Sequence, residues 1–134
     1  MDDLVQWLRA QLDADEAKAR ACPGNGEWTA SDIAIYGTDL SSEVREHMAE
    51  HEPARVLREI DAKRQVIAKY ITAVDRMAEL AALIERVKAE GQSTLMPEMD
   101  RATAIHRRDV LSEVLRLFAL PYADRPGYQE SWRP

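Results

Sequence analysis

Leu4, Leu8 and Leu12 recur at every fourth position, with Val5 and Trp7 alongside, which predicts an amphipathic helix over residues 3–21. Asp3 followed by Gln6 resembles a capping box. Pro23-Gly24 stops the helix, and Cys22, lying before proline, is driven toward extended backbone. Residues 25–40 are the least regular stretch. There Ile33, Ile35 and Tyr36 read as one short strand, pairing near Trp28 in a minor β-hairpin over residues 28–36. A short helix over residues 41–50 follows, capped by Ser41 or Ser42.

Pro53 suits the first position of a third helix. Nothing forces a stop before Glu90, and Gly91 is a C-terminal signal. Val56, Ile60, Ile67, Tyr70, Val74, Met77, Ala81 and Ile84 fall on an alternating 4-3 spacing, with Lys63 and Lys88 in the two remaining places. Leu57, Val66, Ile71, Leu80, Leu83 and Val87 widen this coiled-coil-like seam. A helix of about 38 residues is ~57 Å long, whereas a compact chain of this size is roughly 36 Å across. Either the helix restarts at Thr72-x-x-Asp75, or it overhangs and finds a partner. A last helix is expected over residues 97–119, with Leu111, Val114, Leu115 and Phe118 as its stripe, ended by Leu120-Pro121. The fold class is therefore all-α: a single helical domain over residues 1–134 with about four helices. Its core is expected from Leu4, Leu8, Leu12, Val56, Ile60, Ile67, Val74, Ile84, Leu111, Val114, Leu115 and Phe118.

Composition narrows the picture. Of 134 residues 46% are hydrophobic, a globular proportion, and the few Gly and Pro (5 and 6) favour helix. One cysteine, Cys22, allows no intramolecular disulfide and fits a reducing, cytoplasmic setting. No apolar run approaches the ~18 residues of a membrane span. The formal charge of −6 disfavours generic nucleic-acid binding.

Three blocks then carry a resemblance: MDDLVQWLRAQLD (1–13), HMAEHEPARVLREIDAKR (47–64) and LPYADRPGYQESW (120–132). In order, over roughly half of the chain, they resemble the actinobacterial domain-of-unknown-function family numbered 6221, also found in phages of actinobacteria. Pro23 and Trp28 sit where that family places a Pro-x-Trp segment. Residues 25–40 look shorter than usual for the family, and residues 72–108 look particular to this chain. The resemblance implies a cytoplasmic protein of bacterial or phage origin and carries no activity, cofactor or catalytic residue.

Candidate chemistry is sparse. His47 and His51, four apart on one helix face, can both reach a metal such as zinc, with Glu43 a turn away and His106 or Cys22 able to complete a site. The spacing is not the HExxH of metalloproteases. The commoner role for such a pair is structural, with His51 at a helix junction beside Pro53. Arg55, Arg58 and Arg64 near a helix N-terminus can hold an anion, but Arg55-Glu59 can equally pair. There is no Gly-rich loop and no GxSxG, so no enzymatic activity is expected. Tyr122, Tyr128 and Trp132 enrich the tail; they either clasp the helix ends or anchor a partner. The leading expectation is a non-enzymatic protein-interaction module, acting as an oligomer or as an adaptor, regulator or inhibitor of a host protein. Tyr70, Val74, Met77 and Ile84 of the seam and Tyr122, Tyr128 and Trp132 of the tail are its candidate contacts. The alternative is a small zinc-binding or hydrolytic protein using His47 and His51.

Overall fold

The computed structural model describes residues 1–134 as five α-helices and two 3-10 turns, with no strand. The helices are α1 (Asp2–Ala21), α2 (Ala30–Tyr36), α3 (Ser42–Glu50), α4 (Pro53–Ala89) and α5 (Leu95–Ala119). The turns, Leu120–Tyr122 and Glu130–Trp132, lie in the tail. The all-α class and the single long helix are as the periodicity predicts. The chain packs as two compact units. One comprises Met1–Leu8 with Arg64–Pro134, the other Arg9–Lys63.

In the second unit the leucine ladder of α1 continues with Leu12, which is fully buried. The residues expected as a β-hairpin near 28–36 instead form α2. Thr29 is its N-cap: the Thr29 hydroxyl accepts from the Asp32 amide (3.2 Å), and the Asp32 carboxylate accepts from the Thr29 amide (2.8 Å). This reciprocal box satisfies two amides that a first helical turn leaves unpaired. It outweighs the β preference of Ile33, Ile35 and Tyr36. Burial follows helical rather than alternating order, since Ile33 is buried while Ile35 is exposed.

Ser41 caps α3, its hydroxyl accepting from the Val44 amide. Glu52 then fastens the loop before α2 to the start of α4. Its carboxylate accepts from the Trp28 amide (2.9 Å) and from Arg58 Nη2 (3.5 Å). Gly26 completes the tie. Its carbonyl accepts from the Ala54 amide (2.9 Å), and its φ of +79° favours glycine. A Cβ here would sit 3.2 Å from Pro53 Cβ.

Helix α4 runs unbroken for 37 residues. Thr72 does not restart it; the Thr72 hydroxyl donates back to the Ala68 carbonyl one turn earlier (3.0 Å), so it caps no new helix. The 4-3 seam holds through Ile60, Ile67 and Tyr70 and then slips. Ala73, not Val74, is buried, then Leu80, while Val74 is 37% exposed. Two consecutive three-residue steps, 67 to 70 to 73, overwind the stripe locally. The gain is apolar: the shifted register buries Leu80 where the original presents Ala81, and replaces Lys88 with Val87.

Helix α4 ends in a Schellman motif. The Gln92 amide donates to the Val87 carbonyl and the Gly91 amide to the Lys88 carbonyl, with Gly91 at φ +68°. The chain reverses there into α5. Leu115 and Ala119 of α5 are fully buried, with Ala104 nearly so, while Leu111, Val114 and Phe118 are half-buried. Leu4, Leu8, Ile67, Tyr70 and Leu80 complete the core of the first unit. At the amino end, the Val5 amide donates to the Met1 carbonyl (3.0 Å), so Asp3 lies inside α1. Asp3 and Gln6 therefore do not form the expected cap. Asp2 and Asp3 instead favour the positive end of the helix dipole.

Candidate functional site

In the second unit, α2 and the loop before it enclose a cleft of about 410 Å³ against α3. Its walls are Pro23, Trp28, Ile33, Ile35, Tyr36 and Met48, and its polar rim is Asn25, Glu27 and Asp32. Ile35 is 76% exposed and Tyr36 85%. Two large apolar side chains on so short a helix, next to a formed depression, are unusual for a solvated surface. Sequence reasoning missed them because a strand would have shared them between two faces.

The rim is anionic without counter-charge. Residues 22–52 carry seven carboxylates against Arg45 alone, a balance of −6 that equals that of the whole chain. The other 103 positions balance, with seventeen acids and seventeen bases. This asymmetry is present in the sequence, where the total charge alone averages it out. Two of these carboxylates are held as anions. The backbone amide and hydroxyl of Thr29 both donate to Asp32 and keep its carboxyl below the ordinary range. Glu43 is lowered by its own backbone amide and the hydroxyls of Ser41 and Ser42, at the amino end of α3.

His47 and His51 come together at the other end of α3, with ring centroids 4.3 Å apart. Glu50, rather than Glu43, Cys22 or His106, supplies a third potential metal donor. His51 is also the C-cap of α3 beside Pro53, so the junction role and the ligand role fall on one residue. The thiol of Cys22 donates to the Lys18 carbonyl (3.5 Å). Arg55 is committed to Glu59 (3.0 Å) and to the Glu50 carbonyl (2.8 Å), which leaves little of it for an anion.

The tail aromatics gather on Trp7 in the first unit. Tyr122, Tyr128 and Trp132 lie at centroid distances of 6.4, 5.7 and 5.3 Å from it. The Trp7 indole donates to the Pro126 carbonyl (3.0 Å), whereas the buried Tyr128 hydroxyl has no partner. Tyr70, Tyr122 and Trp132 are buried, Met77, Ile84 and Tyr128 half-buried, and Val74 alone of the seven expected contacts is exposed. His106 lines a separate open groove of about 1050 Å³ between α4 and α5, with Lys69, Arg76, Arg107 and Asp100.

No helix of the chain is long and apolar enough to cross a membrane. No curated protein and no solved structure matches the chain. Residues 1–134 match the family of unknown function DUF6221 over their whole length, and the protein belongs to that family.

Proposed function

We propose that this chain is a non-enzymatic protein-interaction module whose acid-rimmed cleft receives an apolar side chain from a positively charged segment of a partner protein. The observation behind this reading is the exposure of Ile35 and Tyr36 beside a formed cleft whose lining contains carboxylates and no base. A Leu, Phe or Trp anchor fits about 410 Å³ as one side chain of a larger contact. Lys or Arg on either side of the anchor meets Glu27 and Asp32, which steers association and selects against acidic competitors. A second copy of the chain is a poor occupant, because it brings the same negative segment to the same face. In this role the protein serves as an adaptor for, or a regulator of, the protein it holds. The seam and tail aromatics, mostly buried, contribute to the fold rather than to this contact.

The test is selection from a peptide library displaying both acidic and basic sequences, followed by affinity measurement on the winners. The expected winners carry one large apolar residue flanked by Lys or Arg. They should weaken as salt rises toward 1 M, where the screening length falls to about 3 Å. Tyr36→Ala should cost about 1–2 kcal/mol of affinity, the scale of an interface anchor. Winners without basic residues, or with unchanged affinity for a Tyr36→Ala, Ile35→Ala double variant, would overturn the proposal.

A further inference from the structure

The carboxyl end of α3 collects three donors of the kind that hold transition metals. His47, Glu50 and His51 stand at i, i+3 and i+4, one face of a helical turn. Their ligand atoms lie within 4.8 Å of one another. The two imidazoles are tilted by 39° at a centroid separation of 4.3 Å, so both can turn toward one point.

A backbone contact prepares one of these rings. His51 Nδ1 lies 2.9 Å from the His47 carbonyl oxygen. A carbonyl can only accept, so the contact places the proton on Nδ1 and leaves the Nε2 lone pair free in the neutral ring. Resident metal sites orient their histidines by the same device, the second nitrogen donating to a backbone carbonyl. The field agrees. These residues sit at the negative end of the α3 dipole, inside the segment that carries the chain's net charge. Arg55, which donates to the Glu50 backbone carbonyl, has its charge paired with Glu59.

We infer that His47, Glu50 and His51 form a binding site for a divalent transition-metal ion, with Zn²⁺ as its probe. Two imidazole nitrogens and one carboxylate oxygen suit zinc and leave its fourth position to water. Bonds of about 2.1 Å in a tetrahedral site bring donors to roughly 3.4 Å apart. All three side chains are exposed, so small rotations at the surface close the remaining distance without disturbing a core. The site is independent of the peptide cleft and stands or falls separately from it.

The experiment titrates Zn²⁺ into the untagged full-length chain in competition with a chromophoric chelator, and follows the histidine ring resonances by NMR. One ion per chain is expected, with the signals of His47 and His51 shifting together. His47→Ala and His51→Ala should each weaken binding roughly tenfold or more, the least that removing even an outer partner of a ligand costs. Glu50→Gln should weaken it less. The helical signal in circular dichroism should stay unchanged, since no core residue is altered. Failure of the wild-type chain to compete for Zn²⁺ would overturn the inference. So would undiminished binding in the His47→Ala, His51→Ala double variant, which would place the ion elsewhere.

Discussion

Asp32 belongs both to the cap of α2 and to the rim of the cleft, and its ionisation bears on both. The Thr29 amide and hydroxyl stabilise the carboxylate, so its folded-state pKa lies below that of the unfolded chain. The sign of the effect on stability follows. The contribution is present above the ordinary aspartate range and is lost as pH falls through the depressed folded value. Acid titration should therefore loosen α2, detected as lower amide protection factors over Ala30–Tyr36 once the intrinsic pH dependence of exchange is divided out, and Asp32→Asn should remove that acid step. Protection factors in α2 that stay constant as pH falls below the carboxylate range would contradict this account. The cap is legible in the sequence as Thr29-Ala30-Ser31-Asp32, yet the β-branched and aromatic residues after it favour a strand by local propensity. The capping box decided the outcome, because hydrogen bonds to otherwise orphaned amides are local and specific, whereas β propensity needs a partner strand that this chain does not supply.

At the scale of the element, helix ends were easier to read than helix faces. Ser41, Pro53 and Gly91 mark their termini in the sequence, and each holds that position in the structure. Gly91 carries the sharpest prediction. Its φ is +68° and nothing lies within 4 Å of where a Cβ would sit, so the cost of substitution is backbone strain alone. Gly91→Ala should destabilise the chain by about 1–2 kcal/mol, measured by urea unfolding with unchanged m-value. The face of α4 was half legible. Spacing identified Ile60, Ile67 and Tyr70, but a strict heptad continues to Val74, whereas the structure turns to Ala73 and Leu80. Two overlapping apolar stripes are present in the sequence, and only the neighbours packed on the helix choose between them.

At the scale of the whole molecule, the tail is part of the first unit's core. Tyr122 and Trp132 are buried, and with Tyr128 they surround Trp7. Removing the chain after Ala119 discards all three rings and the Pro126 carbonyl that accepts from the Trp7 indole. Loss of buried aromatics on this scale costs about 3–5 kcal/mol or more. At roughly 4 °C per kcal/mol for a domain of this size, Tm should fall by more than about 10 °C. Trp7→Phe in the full chain, which keeps a ring but loses the N–H donor, should cost nearer 1 kcal/mol. A truncated chain that melts like the full one would show the tail to be a passenger. Charge is also uneven at this scale: one segment of 31 residues holds the entire net charge, and both the proposed peptide cleft and the proposed metal site lie within it.

The helical class, the helix starts at Ser41 and Pro53 and the stop at Gly91, the leucine ladder of α1 and the histidine pair on one face were determined by sequence alone. Each depends on spacings of a few residues, which helix geometry converts directly into position. Tertiary structure decided the rest. It placed Trp7 among aromatics more than a hundred positions away, chose the second stripe of α4, and left Ile35 and Tyr36 outside the core beside a cleft. Those outcomes depend on which distant surfaces compete for the same apolar neighbour, and no local spacing encodes that competition.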